Sequence, residues 1–185
     1  MSTAHSNTVA GWREWVSLPS AGVPWIKAKL DTGARSPALH AFDVTEVEVG
    51  GSPGVRFWIH PWQRSDADAV EVTLPVLDLR EVRSSNGQVE ERYAVPLEVT
   101  LVGRTVATEV TLSNRDEMGF RMLVGREALA RGFLVDSSVS YVGGRPKRAI
   151  RAFAAATSST SPPSASPVSA VRSTKQSVKS GCVST

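Results

Sequence analysis

The sequence of 185 residues predicts an all-β fold, either closed or sandwich-like, with one short helix near its C-terminal end. Apolar and polar residues alternate along many short segments, and this period of two is typical of half-buried strands. The segments recur at regular spacing and are separated by turns that contain glycine. Short strands in such an arrangement favour a single closed or sandwich-like β domain.

The clearest strand covers residues 23–30, where Ile26, Ala28 and Leu30 alternate with Lys27 and Lys29. Later segments repeat this pattern, and we predict strands over residues 44–49, 55–59, 70–77, 90–101, 105–112 and 120–125. The dipeptides that predict turns between them are Gly50-Gly51, Asn86-Gly87 and Gly103-Arg104.

The predicted helix covers residues 126–131, directly after the last of these strands. Gly132 follows it, and glycine is favoured just after a helix because it adopts the left-handed conformation without strain.

Both ends of the chain are predicted to lie outside the folded domain, which we place at residues 11–153. Residues 154–185 are rich in Ser, Thr, Ala and Pro, which bury too little apolar surface to offset the entropy of ordering. This tail is predicted to be disordered, and residues 1–10 to be flexible.

Charge and hydropathy exclude several classes of protein. Residues 1–144 carry 14 Lys and Arg against 18 Asp and Glu, so the basic excess lies in the C-terminal part and no nucleic-acid partner is expected. No apolar run approaches the ~20 residues that a spanning helix needs, so no membrane partner is expected either. The N-terminus resembles no secretory signal, and we predict a cytoplasmic protein.

The candidate catalytic motif is Asp31-Thr32-Gly33-Ala34, directly after the first clear strand. It places a carboxylate at a tight turn, where Gly33 permits a close approach of the backbone. Asp, Thr and Gly are also common turn residues, so this motif by itself fits an ordinary strand end as well.

A second motif about 90 residues later favours a catalytic role. Residues 120–129 form an apolar strand that ends in Gly125-Arg126 and leads into the predicted helix. Retropepsins and the halves of pepsin contain this same pair of motifs in this order. The chain therefore resembles the retropepsin-like, or acid-protease, fold, in which residues 123–125 would flank the catalytic loop.

Longer segments carry a closer resemblance. Residues 11–19, 26–35, 38–41 and 114–126 resemble a bacterial family labelled ATP-dependent zinc protease, which is also described as retropepsin-like. The resemblance implies a protease, an aspartic endopeptidase, in which Asp31, Thr32 and Gly33 form the catalytic loop. Some members are encoded beside ATP-grasp enzymes that add glutamate to proteins, which makes an ATP-grasp ligase system a candidate partner.

Aspartic peptidases need two neighbouring carboxylates that share one proton, as the two aspartates of pepsin do. This chain has one Asp-Thr-Gly and no internal repeat. We therefore predict a homodimer with Asp31 of each copy at the two-fold axis, acting on a peptide or protein substrate without a cofactor. A hairpin flap is expected to close over the substrate, with its tip at either Asn86-Gly87 or Gly50-Gly51.

Ala34, Arg35, His40 and Arg126 are the predicted substrate-binding residues. Many retroviral relatives have an acidic residue where this chain has Arg35. Arg126 then needs another partner, either Asp136 or Glu127, and Arg35 faces either a substrate carboxylate or solvent. His40 either lines the cleft or has a structural role.

The zinc in the family label finds little support in the sequence. There is no His-Glu-x-x-His motif, and a site of His40 and His60 with an acidic residue has no characteristic ligand spacing. No phosphate-binding glycine loop is present either, so any ATP dependence would come from a partner. A zinc-dependent protease and a non-catalytic peptide-binding module of the same fold remain the alternative hypotheses.

Overall fold

The structure, a computed structural model, describes residues 7–63, 65, 68–83, 87, 89–113, 119–147 and 150. Strands dominate these residues, as predicted, and a short α-helix begins at residue 126, where the sequence places one. The elements are β1 (Thr8–Gly11), β2 (Arg13–Leu18), β3 (Val23–Asp31), β4 (Ala38–His40), β5 (Phe42–Val49), β6 (Ser52–Ile59), β7 (Val70–Pro75), β8 (Asp78–Arg83), β9 (Val89–Leu101), β10 (Arg104–Ser113), β11 (Met122–Gly125), α1 (Arg126–Leu129) and β12 (Phe133–Asp136).

Seven strands form a closed sheet in the order β10-β4-β11-β3-β2-β9-β8, and β9 also pairs with β10. This second pairing returns the sheet to its first strand, so the predicted closed β domain is confirmed. Strand β9 makes the closure possible because its 13 residues are long enough to pair with β2, β8 and β10. The barrel encloses the alternating apolar residues, among them Ile26, Leu39 and Leu101.

A second sheet of three strands, β5-β6-β7, packs on the barrel. The predicted hairpin of β5 and β6 is confirmed, and its turn residues Gly50 and Gly51 have φ values of 59° and 81°. Positive φ at both central residues is the requirement of the tightest hairpin turns. Phe57 and Ile59 of β6 are fully buried and join the core of the barrel.

The segment 70–77, predicted as one strand, contains the strand β7 and then a crossing between sheets that leads to β8. Strand β7 ends at Pro75, which pairs with Gly54 of β6. The N–H of Leu77 already donates to Ala94 O of β9, at 2.8 Å, so the chain has moved to the barrel before β8 begins. The apolar alternation continues through this crossing, and the sequence pattern therefore concealed it.

The turn between β9 and β10 is also one residue away from the prediction. Val102 and Gly103 form it, with φ values of 49° and 76°, whereas Arg104 is the first residue of β10 and pairs with Leu101. The turn predicted at Asn86-Gly87 involves Asn86, which lies outside the described residues.

The folded domain begins before residue 11, where the sequence placed its boundary. Strand β1 starts at Thr8 and runs parallel to β12. Residues 8–11 are ordered because each of the two strands supplies hydrogen bonds to the other. The predicted tail, residues 154–185, lies outside the described residues, as do residues 1–6.

A buried carboxylate fixes the segment that follows β12. Glu14 is fully buried, and its Oε1 accepts N–H groups from Gly11 at 2.7 Å and Val142 at 2.8 Å. Its Oε2 accepts the N–H of Gly143 at 3.1 Å. One side chain thus joins both ends of the described domain.

None of the helices in the described residues has the length and apolar character needed to cross a membrane.

Candidate active site

Asp31 is the last residue of β3 and lies beside β11, the strand that the sequence predicts to be its neighbour. Strand β11 runs parallel to β3, and Gly125 is the partner of Asp31 in the register. Ala28 and Leu30 are buried in the core, so the alternation turns Lys29 and Asp31 to the opposite face. Residues 123–125 therefore lie beside the end of β3 that carries Asp31, as predicted.

The Asp31 carboxylate is held by its own turn. Oδ1 accepts the N–H groups of Gly33 at 3.0 Å and Ala34 at 3.1 Å, and Oδ2 lies 3.4 Å from Lys29 Nζ. Partial burial acts to raise the pKa of Asp31, but the Ala34 N–H, the charge of Lys29 and the Gly33 N–H outweigh it and lower the pKa below its ordinary value. These groups therefore favour the ionised form of the carboxylate in the single chain.

At two positions of this site, a side chain larger than that of glycine would contact its neighbours too closely. A Cβ on Gly125 would lie 2.6 Å from the backbone carbonyl of Ser36, so β11 approaches the loop more closely than any side chain permits. A Cβ on Gly33 would lie 3.2 Å from Asp31 Oδ1, which is tighter than an ordinary contact. Both glycines of the sequence motifs thus allow close packing around the carboxylate.

Helix α1 supports the loop from behind. The N–H groups of Arg126 and Glu127 donate to the carbonyls of Ala34 at 2.9 Å and Arg35 at 3.1 Å. The guanidinium of Arg126 donates through Nη1 to Gly33 O at 3.1 Å. The expectation that Arg126 pairs with Asp136 or Glu127 is therefore wrong, because its described partner is a backbone carbonyl of the loop after Asp31.

Arg35 has the carboxylate partner that was expected for Arg126. Its Nε donates to Glu127 Oε1 at 2.8 Å, and Ser36 Oγ donates to Glu127 Oε2 at 3.1 Å. The hydrogen bond from Arg35 is the main reason why the pKa of Glu127 is lowered. With 77% of its side chain exposed, Arg35 both pairs with Glu127 and borders the cavity described next.

A cavity of about 1010 Å³ opens beside Asp31. The loop after Asp31, including Ala34 and Arg35, forms one side, and the residues of β8 form the other. Phe120 and Leu123 contribute apolar surface between them. This volume is at the upper end of the range of ligand-binding clefts, about 300–1,000 Å³.

The two hairpins considered for the flap differ in their relation to this cavity. Residues of β8, in the hairpin with β9, line the cavity together with Asp31. Gly51 of the β5–β6 hairpin instead borders a separate, smaller cavity of about 460 Å³ with Glu46 and Pro53. The β8–β9 hairpin is thus the one that faces the carboxylate.

The structure places His40 in the interior, 1% exposed, and outside the residues that line the cavity. Its ring packs edge-on against Phe42 at 4.1 Å, and Phe42 stacks on His60 at 3.8 Å. Within the described part of the chain, no three His, Cys, Asp or Glu residues are grouped so that they could hold a metal ion.

The sequence reasoning missed two contributors to the cavity. Lys29 was noted only as a polar member of an alternating strand, although the same alternation places it on the face of Asp31. The charged residues of β8, such as Arg80 and Glu81, belonged to no motif. The Asn86-Gly87 turn was their signal, because residues before such a turn form one arm of a hairpin.

Comparison with known proteins defines the class of this fold. The RimB-like family, described as "Retropepsin-like aspartic endopeptidase RimB", matches residues 9–146. The chain therefore belongs to the RimB-like family of retropepsin-like proteins.

The curated relatives are longer proteins with a different name. The chain is 42% identical over 137 residues to a "Probable alpha-L-glutamate ligase" of Shewanella halifaxensis, a match that covers 74% of this chain and 30% of the relative. A protein of the same name from Parasynechococcus marenigrum is 39% identical over 133 residues, covering 72% and 28%. The chain thus spans about 30% of the length of these relatives.

Among solved structures, the chain is similar to the protein Lpg0085 of Legionella pneumophila, which is described as having unknown function. The identity is 27% and the TM-score 0.64, over 75% of this chain and 99% of that protein. The fold of the whole Legionella protein therefore matches the described domain.

Proposed function

We propose that the protein is an aspartic endopeptidase whose catalytic dyad consists of Asp31 from two copies of the chain. The observation that carries this proposal is the Asp31 carboxylate itself, which is oriented by two backbone N–H groups at the edge of a peptide-sized cavity. Membership of a family described as aspartic endopeptidases supports the same chemistry.

One carboxylate is insufficient for this reaction. In the dyad, one carboxylate takes a proton from the attacking water while its protonated partner donates to the carbonyl oxygen of the scissile bond. Two carboxylates in contact share one proton because both cannot be ionised at that distance. The second carboxylate is proposed to come from a two-fold related copy, with the exposed Thr32 joining the two loops and Gly33 presenting its backbone to the substrate.

The two-stranded sheet of β1 and β12 is the surface where we propose that the two copies make contact. Val9 and Leu134 are neighbours in its register and are 47% and 54% exposed. This sheet is close to the active strand in the fold, since Trp12 O, one residue after β1, accepts the N–H of Leu30 at 2.9 Å. A second copy packed on this apolar pair would bury it near the axis on which the two Asp31 residues must meet.

The proposed substrate is an extended peptide segment covered by the β8–β9 hairpin acting as the flap. The relatives named as glutamate ligases contain a segment similar to this chain within a longer protein. Fusion of two activities in one protein is a reason to expect them to act on a shared substrate. We therefore propose a protein or peptide that carries added glutamate, with an ATP-grasp ligase system as partner and the cytoplasm as location.

The test is the isosteric substitution Asp31→Asn, whose Oδ1 still accepts the N–H groups of Gly33 and Ala34. Cleavage of a peptide library by the purified protein should fall by about three orders of magnitude, in the range attributed to acid–base catalysis. The circular dichroism spectrum and the molecular mass in solution should be unchanged. Cleavage that survives Asp31→Asn and disappears with a chelator would instead support the zinc-dependent alternative.

Mixing the two proteins tests whether the site is shared. After subunit exchange with an equal amount of Asp31→Asn protein, a fixed amount of wild type should retain about half of its activity, because half of its chains then lie in mixed dimers. Unchanged activity would show that each chain works alone. No cleavage by an intact dimer of any library would favour the non-catalytic binding module.

A further inference from the structure

The face of β3 that carries Asp31 also carries a lysine in direct contact with it. Lys29 Nζ lies 3.4 Å from Asp31 Oδ2, and both residues line the cavity. Almost half of the Lys29 side chain, 47%, is exposed, compared with 27% of Asp31. The ammonium group is therefore accessible to a molecule that enters the cavity.

This contact is a poor arrangement for a dyad at work. The reaction needs one proton shared by two carboxyl groups, whereas a neighbouring ammonium favours the ionised form of each. A two-fold dimer would place one Lys29 beside each Asp31. Two ammonium groups then neutralise two carboxylates, and the proton that the general acid must donate is disfavoured.

Three arginines of the cavity have carboxylate partners other than Asp31. Arg35 pairs with Glu127, and Arg80 pairs with Asp78 and Glu109. Arg92 pairs with Glu90. The charged groups of the loop, β8 and β9 that line the cavity with Asp31 are Arg35, Asp78, Arg80, Glu81, Arg83 and Arg92. Lys29 differs from the paired arginines because its described carboxylate partner is the catalytic residue itself.

We propose that Lys29 is a specificity-determining residue. Its ammonium group moves away from Asp31 and binds instead a substrate carboxylate beside the scissile bond. This inference rests on the proposed function. Lysine suits the exchange because its charge sits on a flexible stem of four carbons. A substrate carboxylate replaces Asp31 as the partner of the ammonium, and the released dyad then binds one proton from solvent. Only a substrate with that carboxylate brings the site into its active form.

The carboxylate has two possible sources, which are an acidic side chain and the C-terminal carboxylate of a peptide. The first test uses two fluorogenic peptide libraries that are identical except for Glu or Gln at the two central positions. Each is made with a free and with an amidated C-terminus, so that the two sources are separated. Wild type should cleave the preferred carboxylate form at least about tenfold faster, as expected for a charge-assisted hydrogen bond.

Lys29→Met keeps an unbranched side chain without the charge. It should abolish the preference and raise the cleavage of the Gln library to that of the Glu library. The upper limb of its pH profile should move to higher pH, because loss of the ammonium raises the pKa of Asp31. Lys29→Arg should restore the preference. Retention of the preference by Lys29→Met would overturn the proposal.

The matched control is Lys27→Met. Lys27 lies on the same face of β3, two residues earlier, and its Nζ is over the ring of Phe120 at 4.8 Å. Its removal should leave the ratio between the libraries unchanged. A loss of preference equal to that of Lys29→Met would indicate a general effect of positive charge and would contradict a specific role of Lys29.

Binding separates this inference from the proposed function. In Asp31→Asn protein, the Glu library should bind at least about tenfold more tightly than the Gln library, and Lys29→Met in that background should remove the difference. If this result is obtained without cleavage by wild type, catalysis fails and recognition by Lys29 stands. If wild type cleaves but the difference in binding is absent, recognition by Lys29 fails alone.

Discussion

At the scale of single residues, the sequence motif identified the carboxylate but not its electrostatic partner. Asp31 and Gly33 follow from a tripeptide whose spacing is set by local turn geometry. Arg126 was expected to pair with Asp136 or Glu127, yet its bond goes to the carbonyl of Gly33. Every residue carries a carbonyl, so a side chain that binds one leaves no signal in the sequence.

The position of His40 in the core could not be predicted from the sequence either. Its position nine residues after Asp31 was compatible with the cleft, but β4 places it in the core against Phe42. The direction of a side chain from a strand of three residues depends on the pairing of that strand with its neighbours, β10 and β11. Alternation over so short a segment does not define which face is buried.

The lowered pKa of Asp31 predicts how acid affects the stability of the single chain. A carboxylate whose pKa is lower in the folded state stabilises the fold above its unfolded pKa, and this contribution is lost as the pH falls through the folded value. The free energy of unfolding of wild type, relative to Asp31→Asn, should therefore be constant near neutral pH and decrease below about pH 4.

Urea unfolding between pH 3 and 7 provides this measurement, at protein concentrations low enough to favour single chains. If wild type instead became more stable relative to Asp31→Asn as the pH falls, the arrangement of Asp31 with Lys29 and the N–H groups would be contradicted.

At the scale of elements, the alternation predicted most strands, whereas the connections between sheets required the structure. The parallel pairing of β3 with β11 was predictable because the two motifs recur together. The crossing at residues 76 and 77 was not, since Val76 N donates to Pro53 O and Leu77 N to Ala94 O without any change in the apolar pattern.

The clamp formed by Glu14 predicts a strong effect of a conservative change. Glu14→Gln keeps the size of the side chain but replaces one acceptor oxygen with an amide group that also donates. At least one of the N–H groups of Gly11, Val142 and Gly143 would then face a donor in a buried site. The free energy of unfolding should decrease by about 3 kcal/mol.

Chemical denaturation of Glu14→Gln measures this decrease, and Glu48→Gln on the exposed strand β5 is the control. The control should change the stability by less than about 0.5 kcal/mol. Equal stability of the two variants would mean that the clamp contributes nothing.

At the scale of the whole molecule, the strand pattern left a closed and a sandwich-like domain open, and the resemblance to retropepsins favoured the closed one. The surface proposed to meet a second copy was not predictable. The sequence indicated a dimer by counting one Asp-Thr-Gly where the chemistry needs two carboxylates. Residues 1–10 were predicted to be flexible, and Val9 was therefore not considered as part of a contact surface. Its exposure became visible only when β1 was found paired with β12.

This surface predicts that Leu134→Lys separates the two copies. A lysine in place of an apolar residue that is 54% exposed costs the single chain little, but a dimer would have to bury its charge. Sedimentation should show a monomer at concentrations where wild type is a dimer, and cleavage should disappear with it.

Val44→Lys is the matched control, because Val44 is 39% exposed on β5, in the other sheet. It should leave both mass and cleavage unchanged. A dimeric and active Leu134→Lys protein would remove the β1–β12 sheet from the interface.

The most direct measurement is the distance between the Asp31 carboxyl groups in a crystal structure of the assembled protein. The account predicts a two-fold dimer in which carboxyl oxygens of the two residues are about 3 Å apart. A structure in which each Asp31 is remote from the Asp31 of every other copy would contradict it.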